Sequence, residues 1–203
     1  MWNTLTDGVH SVQESLDKFF ADELMGLDNA YNCKTCKRKT GAVRHTSLHT
    51  LPPVLILQFK RAAYTTTISG SKSSKRGKKG GRVQKKLRYH RVQKKFKHHV
   101  SYPEILSTKN YTTSTMEEQG VVGDTLQLFA VVVHQGDSME RGHYVSYVRG
   151  EVGGKEVFYF IDDKDVTSCT KHDFLSQEAY ILFYEKDFPI NGTSLCNMRG
   201  ELE

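Results

Sequence analysis

At 203 residues, 37% hydrophobic and 26% charged, the chain can bury a core without disulfides and suits one domain or a large part of one. No run approaches the roughly 20 apolar residues of a membrane span. Its four cysteines (Cys33, Cys36, Cys169 and Cys196) are too few for a disulfide framework, and no signal-peptide pattern opens the chain, so a reducing compartment is expected: cytoplasm, nucleus or both. The formal net charge of +6 is unevenly spread: residues 29–103 hold 20 of the 29 Lys and Arg and no Asp or Glu, which points to an acidic partner or a solvated basic segment.

Ser11-Val-Gln-Glu14 fits a capping box, and Val12, Leu16, Phe19, Phe20 and Leu24 recur at helical spacing, predicting a helix that Gly26 ends. Cys33-Lys-Thr-Cys36 forms a knuckle, followed by weak alternation over 42–50. Residues 51–61, LPPVLILQFKR, are short, apolar and preceded by prolines, and predict a buried strand. The segment from Ala62 to about Lys86 reads as a mobile insertion, because its Ser, Gly and Lys cannot bury enough to order themselves. A returning strand is expected over Phe96 to Tyr102, closed by Pro103. Strands then follow at 125–134, 143–149, 157–161 and 179–184, with a helical turn at 174–177 and glycine-bearing loops between them. The pattern is a mostly antiparallel sheet after an initial helix, without internal repeats.

Three elements belong together. Gly142-His143-Tyr144 opens a strand, Asp162-Asp163 closes another about twenty residues later, and the aromatic strand YILFY can pack beside both. Strands joined by a hairpin bring such ends close, so the His and an Asp can hydrogen-bond. A base with a carboxylate that fixes its tautomer is what nucleophilic catalysis requires. Spacing alone leaves a structural role for His143 open.

The stretch LFAVVVHQGDSMERGHYVSYVR, then FYFIDDKDVTSC, then AYILFY, resembles the histidine box of ubiquitin-specific proteases. LPPVLILQFKR resembles that family's strand before the palm insertion, HHVSYPEIL its return, YNCKTCKRKTGAVRHTSLHTLPP its second zinc knuckle, and SVQESLDKFFADELM the segment leading into that knuckle. The resemblance implies an α+β, papain-like cysteine protease fold over 11–186: partial fingers at about 28–50, a mostly antiparallel palm sheet at about 51–61 and 95–186, a basic and disordered insertion at 62–94, a tail at 187–203, and no thumb. It implies hydrolysis of the isopeptide or peptide bond after the C-terminal glycine of ubiquitin, through an acyl-enzyme. His143 falls on the general base, Asp162 on the residue that orients it, and Asp163 on a supporting acidic position. Gly142 and Tyr144 fall beside the channel for ubiquitin's narrow Gly-Gly tail.

The family's cysteine box has no counterpart here. Cys33 and Cys36 sit on the knuckle, while Cys169 and Cys196 follow the histidine box, so the chain is expected to lack the nucleophile and to be inactive by itself. The expected partners are ubiquitin, ubiquitinated proteins and the missing N-terminal thumb half. An inactive ubiquitin-binding remnant and a basic nucleic-acid-binding module are the alternative readings.

No cofactor is expected for catalysis. For structural zinc, Cys33 and Cys36 would be half of the family's four-ligand site. A local set of Cys33, Cys36, His45 and His49 is the alternative. It is disfavoured because residues four apart on a strand stand about 13 Å apart. Residues 72–97 hold 13 Lys or Arg and no acid. They read as a solvated insertion, a nuclear-import or nucleic-acid patch, or an aid to an acidic partner.

Overall fold

The computed structural model describes residues 10–26, 28–71, 86–113 and 125–186. Helix α1 spans Val12–Phe20, capped by Ser11, whose hydroxyl accepts from the Glu14 amide at 3.1 Å. The Glu14 carboxylate accepts from the amide of His10 at 2.9 Å, one residue outside the expected capping box. The helix ends at Phe20 rather than at Gly26. Strand β1 (Glu23–Met25) pairs with β4 (Ala42–Arg44), and that pairing overrides the helical period that had included Leu24, which is 78% exposed. Between them β2 (Tyr31–Asn32) and β3 (Lys39–Thr40) form the arms of the cysteine knuckle.

The core is a seven-stranded sheet. Its strands are β5 (Val54–Gln58), β8 (Ile105–Ser107), β9 (Thr125–Gln135), β10 (His143–Val152), β11 (Lys155–Asp162), β12 (Asp165–Cys169) and β13 (Ala179–Lys186). They run β12-β11-β10-β9-β13-β5, with β8 also on β9, and every pairing is antiparallel. The central strand β9 buries Leu126, Leu128 and Val131 completely, which is why it reads as a near-continuous apolar run. Helix α2 (Lys171–Leu175) is started by a capping box between Thr170 and Asp173 and drops Phe174 onto Phe158, with ring centroids 5.1 Å apart.

Two further expectations change. The insertion 62–94 is not wholly disordered: β6 (Ala62–Ser71) and β7 (Lys86–Lys95) form a separate two-stranded ribbon, with ten pairs from Ala62↔Lys95 to Ser71↔Lys86. The Thr-Thr-Thr-Ile run in β6 carries β propensity that the overall composition masks. Residues 72–85, most of the basic run, lie outside the described residues, as does the tail 187–203.

Residues 96–100, expected as a strand, are irregular. Their carbonyls are taken by a side chain instead of a ladder: Arg61 Nη1 donates to the carbonyls of His98 at 2.7 Å and Phe96 at 3.3 Å. Among the described residues, no helix is long and apolar enough to cross a membrane.

Candidate active site

His143 is the first residue of β10 and Asp162 the last of β11. The last β10–β11 pair before the site is Ser146↔Ile161, so the next residue of β11 faces back toward the start of β10. There His143 Nε2 and Asp162 Oδ1 meet at 2.5 Å, each side chain a little under half exposed. The hydrogen bond to Asp162, and then the charges of Asp162 and Asp163, hold the imidazole pKa above its ordinary value.

Asp163 opens the tight β11–β12 turn with φ +50°, a left-handed conformation that Asp tolerates better than most residues. The ring nitrogen and the two carboxylates can all be chosen within 4.8 Å of one another. Among the described residues this is the one place where three such groups gather. The expected pairing of His143 with Asp162, and the nearness of Asp163, are therefore present as geometry.

The strand end that carries His143 rests on two residues that sequence reading missed, His134 and Tyr180, which gather around Tyr144. Tyr144 pairs with His134 across β10 and β9, and the two rings lie 4.7 Å apart. Tyr180 of β13 completes the aromatic group, 6.2 Å from His134 and 6.0 Å from Tyr144. Tyr144 remains 52% exposed, so one side of its ring is open to a ligand. His134 is buried, and burial, then the charge of Lys95, lowers its pKa.

Gly142 was expected to make room for a substrate on its outer side. The structure adds an inner constraint. A Cβ there would lie within 3.0 Å of the Gln135 carbonyl and of two atoms of the His134 ring, 2.8 Å from Cε1. Gly142→Ala is therefore expected to destabilise the full chain by about 1–3 kcal/mol in denaturant titration. It should also shift the His143 ring resonances, because the added methyl must displace either β9 backbone or the buried ring.

The cysteines are elsewhere. No sulfur joins the His143 group among the described residues. Cys169 pairs with Phe158, four residues along β11 from Asp162, and burial pushes its thiol up, the wrong direction for a nucleophile. Cys196 lies outside the described residues.

On the knuckle, the backbone amides of Cys36 and Thr35 hold the Cys33 thiol below its ordinary pKa, and Lys37 takes a left-handed φ of +54° to close the turn. His45 Nδ1 is paired with Asp22 Oδ1 at 2.7 Å. Cys33, Cys36, His45 and His49 do not gather into one group, so the local four-ligand alternative has no geometry behind it among the described residues.

At the β5 edge of the sheet, α1 and β5 line an open apolar cleft of about 420 Å³, with Leu16, Phe19, Phe20, Leu55 and Leu57 among its walls. Arg61 also lines it. This side chain is 5% exposed, and its Nη2 is buried with no partner among the described residues.

The family model described as ubiquitin carboxyl-terminal hydrolase matches residues 11–184. Ubiquitin carboxyl-terminal hydrolase 17-like protein 13 of Homo sapiens is 33% identical over 174 residues, covering 86% of this chain and 27% of the relative. Ubiquitin carboxyl-terminal hydrolase 25 of Arabidopsis thaliana is 30% identical over 192 residues, 94% of this chain and 24% of the relative. The SAGA Ubp8/Sgf11/Sus1/Sgf73 DUB module bound to ubiquitin aldehyde superposes with a TM-score of 0.63 at 26% identity, over 90% of this chain and 34% of that one. This chain thus spans about a quarter of the length of these curated relatives. The fold is the α+β, papain-like one expected, and with a match running from α1 through the last strand of the sheet, the chain belongs to the ubiquitin carboxyl-terminal hydrolase family.

Proposed function

We propose that this chain supplies the base and its orienting carboxylate to a cysteine-type deubiquitinase acting after the C-terminal glycine of ubiquitin. One observation carries the reading: Nε2 of His143 is engaged by Asp162 Oδ1, which leaves Nδ1 as the nitrogen that takes a thiol's proton. Asp162 then holds the tautomer and stabilises the imidazolium, with Asp163 adding field. Tyr144 and the backbone at Gly142 flank the approach of the substrate tail. That a structural neighbour is a module bound to ubiquitin aldehyde supports ubiquitin as the ligand.

On this reading the thiolate comes from a thumb segment outside this chain: no described cysteine lies at the site, and Cys196 follows the histidine box, where the family carries no nucleophile. The α1–β5 cleft, apolar and holding a buried guanidinium nitrogen without a partner among the described residues, is the seat proposed for that segment. Cys33 and Cys36 fit two of the four ligands of a structural zinc. The same amides that lower the Cys33 thiol would stabilise a metal-bound thiolate, and the zinc would lock the knuckle.

Mixing the full chain with a cysteine-bearing thumb segment of a family member should produce thiol-dependent cleavage of a ubiquitin C-terminal amide reporter, with none from either part alone. The absence of a described sulfur at the site favours one rival, an inactive ubiquitin-binding remnant. Saturable NMR shifts on ubiquitin titration, with no turnover in the mixture, would establish that rival and sink the enzyme reading.

A further inference from the structure

Lys95 is the last residue of β7 and closes the β6–β7 ribbon opposite Ala62. Its Nζ donates to the carbonyl of His134 at 2.6 Å and to the carbonyl of Gly136 at 2.8 Å, and it stands 3.0 Å from Nδ1 of His134. An ammonium has three donors and no acceptor, so all three are spent. The His134 ring must therefore accept at Nδ1 and carry its proton on Nε2. Its burial, and the positive charge on Lys95, keep it neutral in the physiological range.

The Nε2 edge of this ring is the surface that a Cβ at Gly142 would strike, and the ring lies beside Tyr144. The loop between β9 and β10 leaves at Gln135-Gly136 and returns at Gly142-His143. Lys95 grips the two carbonyls around its exit, and through His134 it backs its return. Lys97 and Asp137 tie the same loop a second time at the surface. The charges around Lys95 are Lys97, Glu178, Arg61 and Asp137, and those facing His143 are Asp162 and Asp163.

We propose that Lys95 is a positioning residue for His143: by binding the carbonyls of His134 and Gly136 and fixing the tautomer of His134, it sets the seat of Gly142 and so aims the imidazole at Asp162. The inference rests on the reading of His143 as the base, but its test needs no turnover. Failure of the thumb mixture and failure of this proposal are therefore separate results.

In the full chain carrying Lys95→Met, ring NMR should show the His143 titration moving back from its raised value toward 6.5, the ordinary histidine value. The amides of residues 134–143 should lose about tenfold in hydrogen-exchange protection, the weight of one charged hydrogen bond. A folded Lys95→Met chain whose His143 titrates as in the wild type overturns the proposal. Should that variant not fold, the wild-type spectrum decides. A slowly exchanging, hydrogen-bonded Lys95 ammonium and a His134 ring held as the Nε2–H tautomer support the proposal. An ammonium exchanging like that of an exposed lysine, or a His134 that takes a proton near pH 6.5, overturns it.

Discussion

Asp162→Ala in the full chain, complemented by a family thumb segment, should lower reporter turnover by about 10³- to 10⁴-fold, the usual cost of removing the orienting carboxylate from a nucleophile–base–acid set. The loss follows from the geometry. Nε2 of His143 donates to Oδ1, and without that acceptor the ring is neither held in one tautomer nor compensated when it becomes imidazolium. Asp163 remains nearby but sits on a left-handed turn and reaches the ring mainly through its charge, so it replaces the field in part and the bond not at all.

A second readout is independent of catalysis. The bond raises the folded-state pKa of His143, so its contribution to stability is complete below the ordinary value of 6.5 and disappears as the pH climbs through the raised value. The difference in denaturant midpoint between wild type and Asp162→Ala should therefore be larger at about pH 5.5 than at about pH 9. An equal difference at both pH values would mean that the pair is not formed in solution.

Arg61→Met is expected to be the most damaging single change to the fold outside the apolar core, at about 3 kcal/mol or more. Arg61 is 5% exposed. Its Nε donates to the carbonyl of Ala179 at 2.6 Å, and Nη1 serves Phe96 and His98. The guanidinium also lies over the Phe59 ring, 5.2 Å from its centroid. Burial lowers its pKa, yet a guanidinium starts so high that it stays charged. Methionine fills the volume but leaves three carbonyls short of a donor. Arg61→Lys should not rescue them, because the three acceptors are spread around a planar fork rather than a point. The urea midpoint of the full chain measures the loss. A Met variant as stable as the wild type would mean that residues 96–98 are held by something other than Arg61.

The long elements of the sheet were legible because each has one strong local signal: the apolar run of β9, the proline-led β5, and the aromatic β13. The meeting of His143 and Asp162 was legible from two strand ends flanking a hairpin. What supports them was not. Lys95 lies in a run where lysine is the commonest residue, so nothing local separates the one that clamps a loop from those that face solvent. His134 reads as an ordinary strand terminus, and only the register Tyr144↔His134 shows what it backs. Arg61 looked like the tail of a strand, and the segment it holds looked like another strand, because a side chain satisfying backbone carbonyls leaves no periodic trace. The helix was overextended for the opposite reason: its period ran on into residues whose long-range pairing with β4 outweighed local preference.

The ribbon of β6 and β7 has a consequence for how this scaffold can diversify. Among the described residues its two strands pair with each other and share no backbone ladder with the main sheet, and they join the rest at the closing pair Ala62↔Lys95. Residues can be added or lost beyond that pair without sliding any strand of the main sheet, and lengthening a connection costs only a few tenths of a kcal/mol per handful of residues. The ribbon can thus change in length and charge beyond its closing pair without disturbing the strand ends that carry His143 and Asp162.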